Sequence, residues 1–262
     1  MKQKINIVWL KRDLRLQDHK PFHLAENACE EYLSIYIFEP SIINHPDCSL
    51  RHLRFIYQSI LTMNESLALF NREVSIFYAE ATDVFEYLLN KFDVKRVFSY
   101  QESGTMKTWN RDKEVSILFR NRLIPWNEIQ RDGIIRGIKN RNGWDKRWYS
   151  TMHQPIIENS FSISQTERLQ HSYKLKKEQL TEWNQYPKLF QKPGDTYAWR
   201  YLKSFCQERG KVYHRYISKP SESRKSCGRI SPYLAWGNMS IKQAYQFVKN
   251  HPKYIENKRA FN

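Results

Sequence analysis

Ile5-Asn-Ile-Val-Trp-Leu10, running straight into Lys11-Arg-Asp-Leu-Arg-Leu-Gln-Asp18, decides how the chain is read. A short run of apolar and β-branched residues bounded by charge predicts a strand buried on both faces. The same unit then recurs. Residues 32–38, 74–78, 94–100 and 123–129 predict four further strands. Between them, 21–31, 49–71, 83–91 and 105–121 predict helices. The second of these carries Leu50, Leu53, Ile56, Tyr57, Ile60, Leu61 and Leu67 on one stripe. In the third, Asp83 is read as the N-cap and Glu86 as its capping-box partner. Apolar strands alternating with helices predict an α/β domain with a doubly wound, parallel, five-stranded sheet. A ligand crevice in such a sheet lies beyond the carboxyl ends of the strands, which puts residues 11–18, 38–44 and 100–104 on its rim. No Gly-x-Gly-x-x-Gly follows the first strand and no Walker-type phosphate loop occurs, so an ordinary dinucleotide or P-loop site is not supported.

From Arg131 the pattern changes. Residues 133–192 hold no sustained period and are broken by Gly133, Gly137, Gly143, Pro155 and Pro187. They predict an interdomain connection. Within it lies a basic aromatic run, Lys139-Asn-Arg-Asn-Gly-Trp-Asp-Lys-Arg-Trp-Tyr149. Helices return at 194–210, with Tyr197, Ala198, Tyr201, Leu202 and Phe205 on the apolar face, and open an all-helical domain over 193–262. Next comes Lys225-Ser-Cys-Gly-Arg-Ile-Ser-Pro-Tyr-Leu-Ala-Trp-Gly-Asn-Met-Ser240. Ser231 reads as an N-cap with Pro232 as the first helical residue, and Gly237 as the stop. Ser240 caps the following helix, with Gln243 completing a capping box. The small residues Ser226, Cys227 and Gly228, flanked by Lys225 and Arg229 before a helix start, suit a phosphate.

Bulk composition narrows the function. Of the 262 residues 40% are hydrophobic, with 16 Tyr, 14 Phe and 8 Trp, enough for a substantial core. Lys and Arg balance Asp and Glu over residues 1–135, so the whole +16 excess falls in 136–262. A basic half joined to a neutral half points to a polyanion partner for the basic half. Trp144, Trp148, Tyr149, Trp199, Tyr201, Tyr213 and Tyr216 interleave with its cations, which favours nucleic acid. Cys29, Cys48, Cys206 and Cys227 lack disulfide or metal spacing, and the histidines are scattered, so no metal site is expected and a reducing cytoplasmic setting is. No run is long and apolar enough to span a membrane. In the 11–18 loop, Asp13 and Asp18 are expected to hold Arg12 and Arg15 by ion pairs, with no catalytic role.

Val8-Trp-Leu-Lys-Arg-Asp-Leu-Arg-Leu-Gln-Asp18 resembles the opening of the photolyase and cryptochrome family. So do residues 195–213, then Pro220, then Cys227-Gly-Arg-Ile-Ser-Pro-Tyr-Leu-Ala-Trp-Gly-Asn-Met-Ser240. The resemblance covers essentially the whole chain but only the first part of the family's length. It implies an α/β antenna domain over 1–132, open to a pigment of unknown identity, and a helical domain that binds FAD. It implies that Tyr213 and residues 227–231 (Cys227, Gly228, Arg229, Ile230, Ser231) contact the flavin's phosphates. Family members place hydroxyl residues where Cys227 and Gly228 stand, so backbone N–H groups and Ser226 are the expected substitutes. His19 stands where the family favours Asn, a change that concerns the loop. Arg215 is the candidate contact to DNA phosphate. The implied reaction is light-driven electron transfer from reduced FAD to a cyclobutane pyrimidine dimer in DNA, and no catalytic side chain is assigned. The alternatives are a cryptochrome-like photoreceptor without repair, or a fragment without a complete flavin pocket. A chain truncated within the FAD domain is expected to have a weakly anchored last segment.

Overall fold

The computed structural model describes residues 2–256. Five strands, β1 (Lys4–Leu10), β2 (Tyr32–Phe38), β3 (Val74–Tyr78), β4 (Asp93–Tyr100) and β5 (Trp126–Ile129), form one parallel sheet in the order β3-β2-β1-β4-β5. Helices α1 (Lys20–Glu26), α2 (Pro40–Ile43), α3 (Leu50–Leu67), α4 (Ala81–Lys91) and α5 (Met106–Asn121) connect them. Alternating side chains along β1 supply both layers of core. Val8 and Leu10 meet Leu53, Ile56 and Ile60 of α3 on one face. Ile5, Ile7 and Trp9 meet Val84, Phe85, Leu88, Val115 and Phe119 of α4 and α5 on the other.

Several predicted boundaries shift. Helix α1 stops at Glu26, where Asn27 turns its side chain back to the His23 carbonyl (2.7 Å). Glu80, not Asp83, is the N-cap of α4, and Asp83 sits inside its first turn. The connection is more built than its sequence suggests. It contains α6 (Trp144–Met152) and α7 (Lys177–Asn184). It also buries Met152, Leu175 and Trp183, the last two in the α3 face of the core. Period failed there because each anchor is a single large side chain rather than a repeated face.

The helical region follows as α8 (Asp195–Gln207), α9 (Tyr213–Tyr216), α10 (Pro220–Ser226), α11 (Ser231–Ala235), α12 (Ile241–Lys249) and α13 (Pro252–Glu256). Its core gathers Ala198, Leu202, Cys206, Tyr233, Met239 and Ala244 around Phe55 of α3. Of the last segment, expected to be weakly anchored, residues 252–256 form α13, whose Lys253 reaches the Gln207 carbonyl and Glu208 at the end of α8, and residues 257–262 lie outside the described residues.

What locks the two regions together is the turn after α11. Gly237 has φ +74°, and a Cβ there would lie 2.3 Å from the Arg12 carbonyl oxygen and 2.5 Å from Asp13 Cα. Only glycine meets both demands, a left-handed backbone and contact at main-chain distance. Around it the Leu14 N–H donates to the Trp236 carbonyl (3.0 Å) and Asn238 Nδ2 to the Leu14 carbonyl (2.9 Å). The loop after β1 and the turn after α11, the two stretches that carried the family resemblance, are therefore one contact.

Gly237→Ala is expected to lower the unfolding free energy by about 2–4 kcal/mol in urea denaturation, the sum of left-handed strain and main-chain clash. Gly137→Ala is the control: φ is +73° but nothing lies within 4 Å of its Cβ position. Its loss is expected to stay near ~1 kcal/mol. Equal losses at the two positions would contradict the close-contact account.

Candidate functional site

The strand order reverses direction about β1, so the loops leaving β1 and β4 diverge and open a crevice at their carboxyl ends. Its walls include Trp9, Arg12, Tyr36, Phe38, Glu39, Cys48, Glu102, Arg111 and, from the helical region, Trp236. Arg111 is the hub. It donates to Glu39 (2.6 Å) and Glu102 (2.6 Å) and lies 3.0 Å from Asp112. Arg12 donates to Glu102 (2.9 Å) while its guanidinium sits 4.7 Å over the Trp236 ring. Glu102 is buried, which pushes its carboxyl up, but Arg111, Lys11 and Arg12 outweigh that and hold it below the usual range. Glu39 has less help. Burial pushes it up to about 7, and Arg111 only partly offsets burial and the neighbouring Glu80 and Glu102. Arg111 itself stays a cation, because three carboxylates outweigh its burial. The cavity between these groups measures about 70 Å³.

The loop after β1 works differently from its sequence reading. Asp13 does not hold Arg12: it accepts from the Lys11 N–H (2.7 Å) and from His19 Nε2 (2.8 Å). Arg12 reaches Glu102 at the end of β4 instead. Asp18 does not hold Arg15 through its carboxylate. Arg15 donates to the Asp18 and Gly237 carbonyls. The Asp18 carboxylate is taken by the Ile157 N–H (3.0 Å), Ser240 Oγ (2.6 Å) and Lys242 Nζ (2.8 Å). Burial raises the Asp18 pKa, and these donors lower it further than that, so it stays ionised. Fully buried His19 caps α1, its Nδ1 accepting from the Phe22 N–H (3.2 Å), which puts the ring proton on Nε2 facing Asp13. Burial keeps the ring neutral despite that carboxylate. The departure at His19 is thus absorbed by the loop, as expected.

The predicted phosphate edge lies on α9, α10 and the turn before α11. Ile230, not Ser231, occupies the N-cap of α11, with no side-chain cap bond, because Arg229 takes a left-handed φ of +56° and starts the helix one residue early. Ser231 is exposed. Ser226 is buried and donates to the Glu222 carbonyl (3.1 Å). Its hydroxyl is therefore committed and does not stand in for the missing hydroxyl residues. Arg209 gathers the carbonyls of Cys227 and Gly228 with that of Tyr201 (2.8 Å). With the carbonyls turned to Arg209, the N–H groups of Gly228, Arg229, Ile230 and Ser231 have no hydrogen-bond partner among the described residues. A Cβ at Gly228 would make ordinary van der Waals contact with Ile230 and Phe205 (3.9 Å). Tyr213 sits edge-on to Phe205 at 5.9 Å, so Tyr213 and Gly228 flank one ring. Arg215 is exposed on α9 and makes no ion pair among the described residues. The donor set, four free N–H groups beside Arg229 and Lys225, fits a diphosphate.

The sequence model of the DNA photolyase family matches residues 6–136, half of the chain. This chain belongs to the photolyase/cryptochrome family. A deoxyribodipyrimidine photo-lyase of Buchnera aphidicola is 20% identical over 255 residues, covering 90% of this chain and 51% of its own length. The chain thus spans about half the length of that photo-lyase. An archaeal photolyase from Sulfolobus tokodaii, solved with two FAD molecules, superposes with TM-score 0.71 at 19% identity, over 98% of this chain and 57% of the other. A Synechocystis cryptochrome superposes with TM-score 0.72 at 18% identity, over 97% of this chain and 56% of the other. These superpositions establish the fold, a photolyase-type α/β domain followed by helices.

Sequence reading missed the Arg111 hub and the Arg209 clasp. Both pair groups far apart in the chain, Arg111 with Glu39 and Arg209 with the Gly228 carbonyl, and nothing in local pattern marks them.

Glu39 supplies a pH test. Its folded pKa, about 7, lies above the ordinary 4.5, so its contribution to stability is complete below pH 4.5 and is lost as pH rises through 7. Relative to Glu39→Gln, the wild-type unfolding free energy is expected to fall by roughly 3 kcal/mol across that window in urea titrations. A pH-independent difference would contradict the buried Glu39 account.

Proposed function

We propose that this chain is the antenna domain, connection and first helices of a photolyase-like flavoprotein that binds FAD and repairs cyclobutane pyrimidine dimers in DNA. In this reading residues 1–132, 133–192 and 193–262 are the three units. The unpaired N–H groups of Gly228, Arg229, Ile230 and Ser231 carry the assignment. They hold the flavin's diphosphate, with Tyr213 and Arg229 alongside and Cys227 contributing backbone rather than a hydroxyl. The chemistry such a cofactor supplies is light-driven, reversible one-electron donation to the dimer. The chain's own role is to orient that cofactor through the turn before α11. Arg215 and the excess cations of the second half draw the DNA phosphates. No side chain among the described residues is assigned to the chemical step, and no antenna pigment is assigned to the 70 Å³ cavity.

A cryptochrome-like photoreceptor is the rival reading, supported by the equal likeness to the Synechocystis cryptochrome. The uneven charge favours repair, since signalling alone needs no field for DNA. No helix among the described residues is long and apolar enough to cross a membrane, and all four cysteines are free. Both fit a cytoplasmic protein.

Gly228→Glu tests the site. A Cβ there makes only ordinary van der Waals contacts, so the fold is expected to persist, while a carboxylate beside a diphosphate is expected to cut flavin content at least ~10-fold, read from the visible spectrum of the purified protein. Gly228→Ser is expected to retain the flavin. Full flavin content in Gly228→Glu would overturn the phosphate edge. Flavin content with no dimer repair under light in the wild type would favour the photoreceptor.

A further inference from the structure

The basic aromatic run over 139–149 takes no part in the proposed flavin edge, yet it is built as a surface. Trp144 and Trp148 lie one turn apart on α6, their rings within 13° of parallel and 6.0 Å between centroids. Trp148 continues edge-on to Tyr149 (5.1 Å) and to Tyr245 of α12 (5.4 Å). His153 closes the row against Tyr245 (5.5 Å). Packing accounts for only some of this. Trp148 is half-buried between the helices and joins α6 to α12. Trp144 touches Trp148 and no other ring among the described residues, and it remains 38% exposed. Its outer face is an open aromatic surface.

Four cations of the run, Lys139, Arg141, Lys146 and Arg147, outnumber its single carboxylate, Asp145. Lys139, Arg141 and Lys146 are all exposed and none has an ion-pair partner among the described residues. The buried or part-buried cations Lys11, Arg12, Arg72 and Arg111 of the α/β domain, by contrast, all meet carboxylates. The loop that carries Lys139 and Arg141 is tied to the helix, Arg147 Nη1 donating to the Asn142 carbonyl (2.9 Å) and the Asn142 N–H to Asn140 Oδ1 (3.0 Å). Exposed cations therefore stand on the loop and helix that carry a part-exposed indole.

We propose that this face of α6 binds single-stranded DNA, with a base stacked on Trp144 and phosphates held by Lys139, Arg141 and Lys146. A free indole face accepts any unstacked base, and a row of cations tracks a backbone without reading sequence. Duplex DNA keeps its bases stacked on one another and offers no ring to Trp144, so the site selects unpaired strand. The choice of DNA over RNA rests on the proposed function. The site itself needs neither flavin nor dimer.

The test is a fluorescence titration of the purified protein with a lesion-free oligothymidylate of about eight nucleotides. Wild type is expected to show quenched indole emission and binding that weakens steeply with salt. Trp144→Ala is expected to weaken affinity by about 5- to 100-fold, the range of one lost base stack, and Trp144→Phe to recover most of it. Replacing Lys139, Arg141 and Lys146 together by Gln is expected to reduce the salt slope by about 2. Thermal unfolding, flavin content and affinity for a dimer-containing duplex are measured on Trp144→Ala and Trp144→Phe and are expected to hold. The proposal is overturned if wild type does not bind the oligonucleotide at low salt, or if Trp144→Ala binds as wild type does. It is also overturned if duplex affinity falls in step with single-strand affinity, or if oligouridylate binds more tightly. Absence of flavin from the wild type would instead overturn the proposed function and leave the stacking result to stand by itself.

Discussion

Gly237 pressed onto the Arg12–Asp13 backbone is the constraint on which the rest of the arrangement depends. A contact at main-chain distance cannot be loosened a little; either the two segments dock or they do not. Docking brings Leu14 to the Trp236 carbonyl and Asn238 to the Leu14 carbonyl. It also brings Ser240 and Lys242 to the Asp18 carboxylate, buried and ionised only because those donors are present. One glycine thus sets where α12 begins and how the helical region sits on the end of the sheet. The turn before α11, with its free N–H groups, inherits that placement.

The α/β domain was legible because its strands are continuous apolar runs. Tyr32–Phe38 and Val74–Tyr78 match their predicted bounds, and β1 and β4 differ by one residue. β5 starts three residues late, at Trp126: it is an edge strand with no fully buried residue, and its burial signal is weak. The Ser240–Gln243 capping box was readable because both partners lie within one turn. The Ser231 cap was not, because the left-handed turn at Arg229 is invisible in sequence. The pairings of the 11–18 loop failed for a similar reason. Sequence puts Asp13 beside Arg12, but the fold puts His19 and the Lys11 N–H closer and gives Arg12 to Glu102.

At the candidate site the residues named from sequence lie near one another, and their local bonding differs from the sequence reading. Tyr213, Cys227, Gly228, Arg229, Ile230 and Ser231 do come together at one edge, around Phe205 and Arg209. Ser226 turns inward and is spent on its own helix. In the proposed reading, main-chain N–H groups stand in for the hydroxyls missing at Cys227 and Gly228, while Arg209 holds the carbonyls of both. Charge divides the chain in a second way: Lys and Arg balance Asp and Glu over residues 1–135, and the excess cations all lie beyond.

Native-state hydrogen exchange tests the docking directly. If the Gly237 contact joins the β1 loop and the helices into a single cooperative unit, the Leu14 and Asp18 amides exchange only with global unfolding, at the same free energy as Ile7 and Val97 in the sheet. Exchange of Leu14 and Asp18 by a separate, lower-energy opening, with the sheet amides still protected, would contradict it.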